Sequence, residues 1–332
     1  MAYVELHRLV RVARMYYELG MNQEAIARVE GVSRSTVSRM LDTARREGIV
    51  QVRVSYPLES VESLEAELMA RFPLRKAFVT RVAIPDRRAV LQDVCRSAAA
   101  YILQVVASGQ KLGVSWGNTM YALVVNLHAV ASSGSPGSLA RDVTVVQLNG
   151  GVARSQFSTQ AGAIVESFAA VFHGTPYLLP VPAIVDSEAA PALMQESSIR
   201  MALELARSVD VAVFGIGYPS RQSILFQAGY YDTDKLEALR AAGAVGDILS
   251  RYFDSHGRIC DPDLDRRTIG LTLEELRSIP TAIAVAVGEE KAAGILGALR
   301  GSYCNVLFTD EQTARAVLAL HARAETRARA SG

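Results

Sequence analysis

The sequence predicts an α/β chain in two parts: an N-terminal (winged) helix-turn-helix domain over 1–56 and a C-terminal Rossmann-like α/β domain over 76–330, joined by a linker helix within 57–75. Three observations carry this. Residues 23–42, QEAIARVEGVSRSTVSRMLD, have the residue types of two short helices around a tight turn. From Lys76 onward, apolar strand-like runs alternate with amphipathic helices, the pattern of a mostly parallel sheet covered on both faces. Charge divides along the same line. Residues 1–54 hold nine arginines against six acidic residues, a net of +3, in a chain whose net charge is +1. A basic head on a mildly acidic body suits a DNA-reading module attached to something else.

The head is expected to open with an amphipathic helix from Val4 to Leu19, with Leu6, Leu9, Val10, Ala13, Tyr16 and Tyr17 near helical spacing. Within the two-helix segment, Ala27 is small enough for close approach of the helices. Gly31 supplies the positive φ that ends the first, and Ser33 caps the second. Ile26, Val29, Val37 and Met40 are the expected apolar contacts. Arg34, Ser35, Thr36, Ser38 and Arg39 are left largely outside that core, at the start of the second helix. This is the end of a recognition helix that meets bases and phosphates. Helix pairs with a central glycine also occur in bundles that bind no DNA. Three flanking features favour DNA: the upstream helix, the ending Arg45-Arg46-Glu47-Gly48, and the alternation from Val50 to Val54 that suggests a wing strand.

After Tyr56-Pro57-Leu58, residues Ser60 to Phe72 read as a helix, a connector or a dimerisation element. The body then offers strands at 77–82, 111–115, 143–148, 209–215, 281–287 and 305–308. Helices are expected at 87–108, 119–131, 160–173, 199–208, 289–299 and 310–327.

Composition excludes several classes. No apolar run reaches membrane-spanning length and no signal peptide is visible, so a cytoplasmic protein without a membrane partner is expected. Three scattered cysteines and five scattered histidines fit neither a disulfide framework nor a zinc spacing, so no metal and no cofactor are expected.

Ligands of such sheets bind beyond the carboxyl ends of the strands. There the sequence places Ser115-Trp116-Gly117-Asn118-Thr119, Asn149-Gly150-Gly151, Gly215-Ile216-Gly217 and Gly288-Glu289-Glu290-Lys291. Exposed backbone N–H groups with Ser, Asn and Thr at a helix start can cradle a phosphate. Lys291, one of four lysines in the chain, is expected in a helix first turn as the phosphate's cationic partner. Glycines after strands also serve tight turns alone. Trp116 suits either a site wall or a packed aromatic. Asp247 suits either an acceptor for sugar hydroxyls or a carboxylate capping the backbone. His256 reads as a turn residue, and His128 and His173 read as helix residues, not catalytic bases.

The motifs MNQEAIARVEGVSRSTVSRMLDTARREGIV, LGVSWGNTM, VVQLNGG, FGIG, AVGDILSRYFDSHGRI and AVGEEKAAGILGALRGSYCNVLFTDEQTARAVL, in that order, resemble the SorC/DeoR-like (sorbitol-operon regulator) family of bacterial transcriptional regulators over nearly the whole chain. The resemblance implies a C-terminal domain like that of sugar-phosphate isomerases and deaminases, turned to sensing. It implies a phosphorylated sugar as effector and a homodimer or homotetramer. Gly117, Asn118 and Thr119 match the family's phosphate-binding turn, Lys291 its phosphate-contacting lysine and Asp247 an acid facing the sugar. Gln160 lies near a polar contact position. Two departures stand out: Asn118 where a hydroxyl residue is frequent, and no lysine in Gly151-Val-Ala-Arg154, which argues against a Schiff base.

The expected function is therefore operator binding controlled by a phosphorylated sugar, without catalysis. The alternative is an isomerase or deaminase that carries a DNA-binding head. That chemistry needs a base set against the sugar carbon. Asp247 and Glu166 are carboxylates that could be proposed for it, and no acid–base pair stands out.

Overall fold

The computed structural model describes residues 3–50, 59–133, 139–152 and 160–330, which fall into two compact units, 1–57 and 58–332. The expected wing strand and the Ser132–Ser138 loop lie wholly or partly outside the described residues, as does Arg154.

The first unit holds α1 (Tyr3–Tyr17), α2 (Gln23–Glu30) and α3 (Arg34–Arg46). Val12, Met15, Ile26, Ala27, Val37 and Leu41 form its core, with Met40 packed against it. Three expected contacts lie outward: Val29 is 63% exposed, Leu6 40% and Tyr17 38%. The reason is angular. At about 100° per residue, Val29 sits roughly 110° from the direction shared by Ile26 and Ala27, whereas Glu30 points almost along it. Glu30 accordingly faces α1, its side chain 2% exposed, and accepts from Arg8 at 3.1 Å and from Arg11 at 2.6 and 2.9 Å. Arg11 above all holds the Glu30 carboxyl below its ordinary range.

The second unit runs α4 (Glu62–Arg71), β1 (Lys76–Thr80), α5 (Arg87–Val105), β2 (Lys111–Val114), α6 (Asn118–Ala131), β3 (Thr144–Gln147), α7 (Ala161–Val171) and β4 (Thr175–Tyr177). It continues through α8 (Ala189–Gln195), α9 (Ser197–Arg207), β5 (Val211–Gly215), α10 (Ile224–Gln227), α11 (Thr233–Ala241), β6 (Gly246–Ile248) and β7 (Arg251–Phe253). Then come α12 (Pro262–Arg267), α13 (Leu273–Arg277), β8 (Thr281–Val285), a 3-10 turn (Glu289–Lys291), α14 (Ala292–Arg300), β9 (Val306–Asp310) and α15 (Glu311–Ala330). Seven strands form one parallel sheet in the order β1-β9-β8-β5-β2-β3-β4, and β6 pairs antiparallel with β7.

Successive strand residues face opposite sides, so each strand feeds two cores. Val211 and Val213 of β5 join one with α5, α6 and α7; Ala212 and Phe214 join the other with α4, α14 and α15. Leu64 and Leu68 of α4 share that second core with Ala314 and Val317, so the segment expected as a linker is, over its described residues, part of the body. The six strands expected from sequence are all in the sheet. β4, β6 and β7 were not expected, nor were α8 and α10 to α13.

From β2 the chain moves outward through β3 to β4, and from β5 it moves the other way through β8. The sheet's topological switch point therefore lies between β5 and β2, where crevices form beyond the carboxyl ends of the strands.

Candidate functional site

In the first unit, Gly31 caps α2 at φ 65°, and its N–H donates to the Ala27 carbonyl. Ser33 caps α3: its Oγ accepts from the Thr36 N–H at 3.1 Å and lies 2.8 Å from both the Ser35 and Thr36 hydroxyls. This cluster orients the first turn of α3. Arg34, Ser35 and Arg39 are exposed there, and Thr36 and Ser38 are half-buried. Arg45 donates to the Tyr17 hydroxyl at 2.8 Å and ties the far end of α3 to α1. The outcome is a rigid helix presenting guanidinium and hydroxyl groups at its N-terminal end.

In the second unit, a cavity of about 550 Å³ opens at the switch point. That is the size of a small-molecule site. Its walls are the loops after β2, β3, β5 and β8. Ser115, Trp116, Gly117, Asn118, Thr119, Asn149, Gly215, Gly217, Asp247 and Lys291, all singled out from sequence, line it together. Gly151 and Gln160 line a separate hollow with Pro182 and Tyr230, and Gly150 lines neither. Gly150 has a packing reason to be glycine: a Cβ there would lie 2.4 Å from the Pro182 carbonyl. Its own carbonyl accepts from Trp116 Nε1 at 2.8 Å, so Trp116 both lines the cavity and packs in place.

The start of α6 can receive an anion. Gly117 precedes it at φ 119°, a conformation open to glycine, and no side chain caps the helix. The first N–H groups of a helix lack internal partners and carry the positive end of its dipole. At the other side stands Lys291. It closes the 3-10 turn after β8 and directly precedes α14, one step earlier than the helix first turn expected from sequence. That turn is pinned from behind. The Gly288 N–H donates to Thr313 Oγ1 at 2.9 Å and to Asp310 Oδ2 at 3.3 Å, and Thr313 Oγ1 donates to Asp310 at 2.5 Å.

Asp247 is placed by β6. It exchanges backbone hydrogen bonds with Gly217, N–H to carbonyl at 2.9 and 3.3 Å. A Cβ on Gly217 would lie 2.1 Å from Asp247 Oδ1, so the second glycine of the β5 loop makes room for this carboxylate. Burial pushes Asp247 up to about 6, against the pull of Lys291. Burial likewise lowers Lys291, opposed by Asp247 and Glu290. Both groups are thus held where their charge is costly: an anion would relieve Lys291 by adding a counter-charge, whereas Asp247 would gain from a hydrogen-bond donor such as a hydroxyl.

Several lining residues gave no recognised signal. Arg87, which forms an ion pair with Glu290 at 2.6 Å, brings a second cation. Tyr218, Ser220 and Gln222 follow β5, where a polar, turn-rich stretch beyond a strand was the available clue. Ser250 and Tyr252 come from the unexpected β6–β7 hairpin. The two carboxylates considered for the enzymatic alternative are not brought together: Asp247 lines the cavity, whereas Glu166 is exposed on α7 and does not.

Comparison with known proteins gives a consistent set of likenesses. The Sugar-bind family model, "Putative sugar-binding domain", matches residues 56–319, and a homeodomain-like domain model matches residues 4–53. The chain is 36% identical over 310 residues to the deoxyribonucleoside regulator of Bacillus subtilis, covering 93% of this chain and 96% of that protein. It is 30% identical over 316 residues to the sorbitol operon regulator of Klebsiella pneumoniae, covering 95% and 98%. The crystal structure of the full-length Klebsiella regulator superposes with a TM-score of 0.69 at 29% identity, covering 93% of this chain and 98% of that one.

Proposed function

The chain belongs to the SorC/DeoR-like (sorbitol-operon regulator) family of sugar-binding transcriptional regulators, and from that premise we propose that a phosphorylated sugar in the switch-point cavity controls operator binding by α3. One observation carries the phosphate: the uncapped start of α6 and Lys291 line the same cavity, from loops far apart in sequence. Backbone N–H groups supply geometry for a tetrahedral anion, and Lys291 supplies compensating charge. Asp247 supplies an acceptor for sugar hydroxyls. In the head, Arg34, Ser35, Thr36, Ser38 and Arg39 meet the operator, and two or more heads are needed to read paired half-sites. Effector control requires that the ligand bind the DNA-competent and DNA-incompetent arrangements with different affinity.

The enzymatic alternative has less support. Asp247 is the one carboxylate lining the cavity among the described residues, and the titratable group facing it, Lys291, is the cation this reading assigns to the phosphate.

Calorimetric titration with a panel of sugar phosphates and the matching free sugars tests the phosphate reading. The phosphorylated member of a pair should bind far more tightly. Lys291→Ala should lose a charge-assisted bond of roughly 1.5–3 kcal/mol, about 10- to 100-fold in affinity. Operator binding without ligand should be unaffected by that change. Equal affinity for a sugar and its phosphate defeats the reading.

A further inference from the structure

Asn149 is 2% exposed and lines the cavity, yet its Oδ1 has no hydrogen-bond partner. A buried polar atom left unpaired costs free energy, and native structures pair nearly all of them. The rest of the residue is held firmly. Its backbone bridges to Gly270, where any Cβ would lie 2.6 Å from the Asn149 Cα. Gly270 is itself anchored by the buried Arg251 guanidinium, which donates to the carbonyls of Thr268, Gly270 and Leu271 at 2.8 to 3.1 Å. The Asn149 backbone is therefore fixed, which sets where its side chain enters the cavity wall.

Beside it lies Ser250, 4% exposed and also in the cavity wall, whose Oγ accepts from Asn149 Nδ2 at 3.4 Å. That is a long bond, so the serine hydroxyl is incompletely engaged. Ser250 reaches the cavity through an unusual turn. Leu249 and Ser250 connect β6 to β7 with φ of 53° and 69°. A two-residue hairpin turn with both φ positive normally uses Asn-Gly, and other residues there are strained.

We propose that Asn149 and Ser250 form a hydroxyl-reading pair. Asn149 Oδ1 accepts a hydrogen bond from one hydroxyl of the bound ligand, and Ser250 completes the contact with that same oxygen. This rests on the cavity being the ligand site and specifies its ligand: a sugar derivative with a free hydroxyl at that point, not its deoxy analogue. The discrimination follows from the pairing. A deoxy ligand leaves the buried acceptor unsatisfied, and sites built to bond a hydroxyl reject analogues that lack it.

The test uses the full chain, the best-binding sugar phosphate from a panel, and a series of its monodeoxy analogues, each lacking one hydroxyl. Unphosphorylated polyols are titrated in parallel. For one analogue, the unmodified protein should lose roughly 5- to 150-fold in affinity, the cost of leaving one buried acceptor without its donor. Asn149→Ala should weaken the parent ligand by a similar factor and leave that analogue unchanged, so that the two losses do not add. Ser250→Ala, a smaller change, should lose part of the same discrimination and serves if Asn149→Ala fails to fold. The pairing is overturned if every analogue binds like the parent, or if both variants weaken parent and analogues alike. Binding of polyols but not of their phosphates, with the same non-additive loss in Asn149→Ala, would remove the phosphate reading and keep the pair. Binding of neither class overturns both.

Discussion

Asp247→Asn should make the free protein more stable while weakening its grip on ligand. The carboxyl is pushed up to about 6 from an ordinary 3.8, with burial the dominant cause. In the unfolded chain it ionises two pH units earlier. Between those values the folded state keeps a proton that the unfolded state has released, so stability falls as pH rises through the window. Above it, the folded state holds a carboxylate at a penalty of about 1.36 kcal/mol per unit of displacement, or roughly 3 kcal/mol at pH 7. At pH 5 about half of that penalty remains, and near pH 3 almost none. An isosteric neutral amide removes it. For a body of this size, roughly 2 °C per kcal/mol gives a midpoint about 6 °C higher at pH 7 and about 3 °C higher at pH 5. Thermal unfolding of both proteins at pH 7, 5 and 3, followed by circular dichroism without ligand, measures this. Ligand titration at pH 7 should show the opposite sign, because the amide is a weaker acceptor for sugar hydroxyls than the carboxylate. A midpoint that does not rise at pH 7, or a gain that fails to shrink on acidification, would refute the reasoning.

Other outcomes follow from the same geometry. Gly217→Ala sets a Cβ 2.1 Å from Asp247 Oδ1, so it should displace that carboxylate and abolish the ligand response, with operator binding by the unliganded protein retained in a gel-shift assay. Arg39→Ala should weaken operator binding by about 1–3 kcal/mol if the guanidinium reads a base; if it meets a phosphate, binding to all sequences should weaken alike and the salt dependence flatten. Unchanged binding to operator and random DNA would count against α3 as the reading helix. Sedimentation at micromolar concentration should give at least a dimer, since one head covers one half-site; a strict monomer protecting a single half-site contradicts this.

Local chemistry made much of the molecule legible in sequence. The turn at Gly31 and the cap at Ser33 follow from residue types, because positive φ and side-chain capping are properties of single positions. Six strands of the parallel sheet were visible because strands buried on both faces are short continuous apolar runs. The β4 strand was not, since Thr175–Tyr177 is three residues with a proline at the sheet edge. Nor was the β6–β7 hairpin, whose Leu249-Ser250 turn lacks the usual asparagine and glycine. The outward face of Val29 and the inward face of Glu30 depended on which side of α2 met its neighbours.

Loops after strands were read as places where ligands bind, and several of them line one cavity, yet sequence alone could not sort them. Asn149, Gly150 and Gly151 are consecutive, but Asn149 lines the cavity, Gly150 packs on Pro182 and Gly151 faces another hollow. Successive backbone groups point in different directions, and burial periodicity does not say what stands opposite each. Strand order was decided in the same way. Periodicity shows that β2 and β5 are buried, not that they are neighbours, and only their adjacency creates the switch point that gathers Ser115, Asp247, Ser250 and Lys291 around one volume. Residue type determines what a loop can do chemically; long-range packing of the sheet decides which loops do it together.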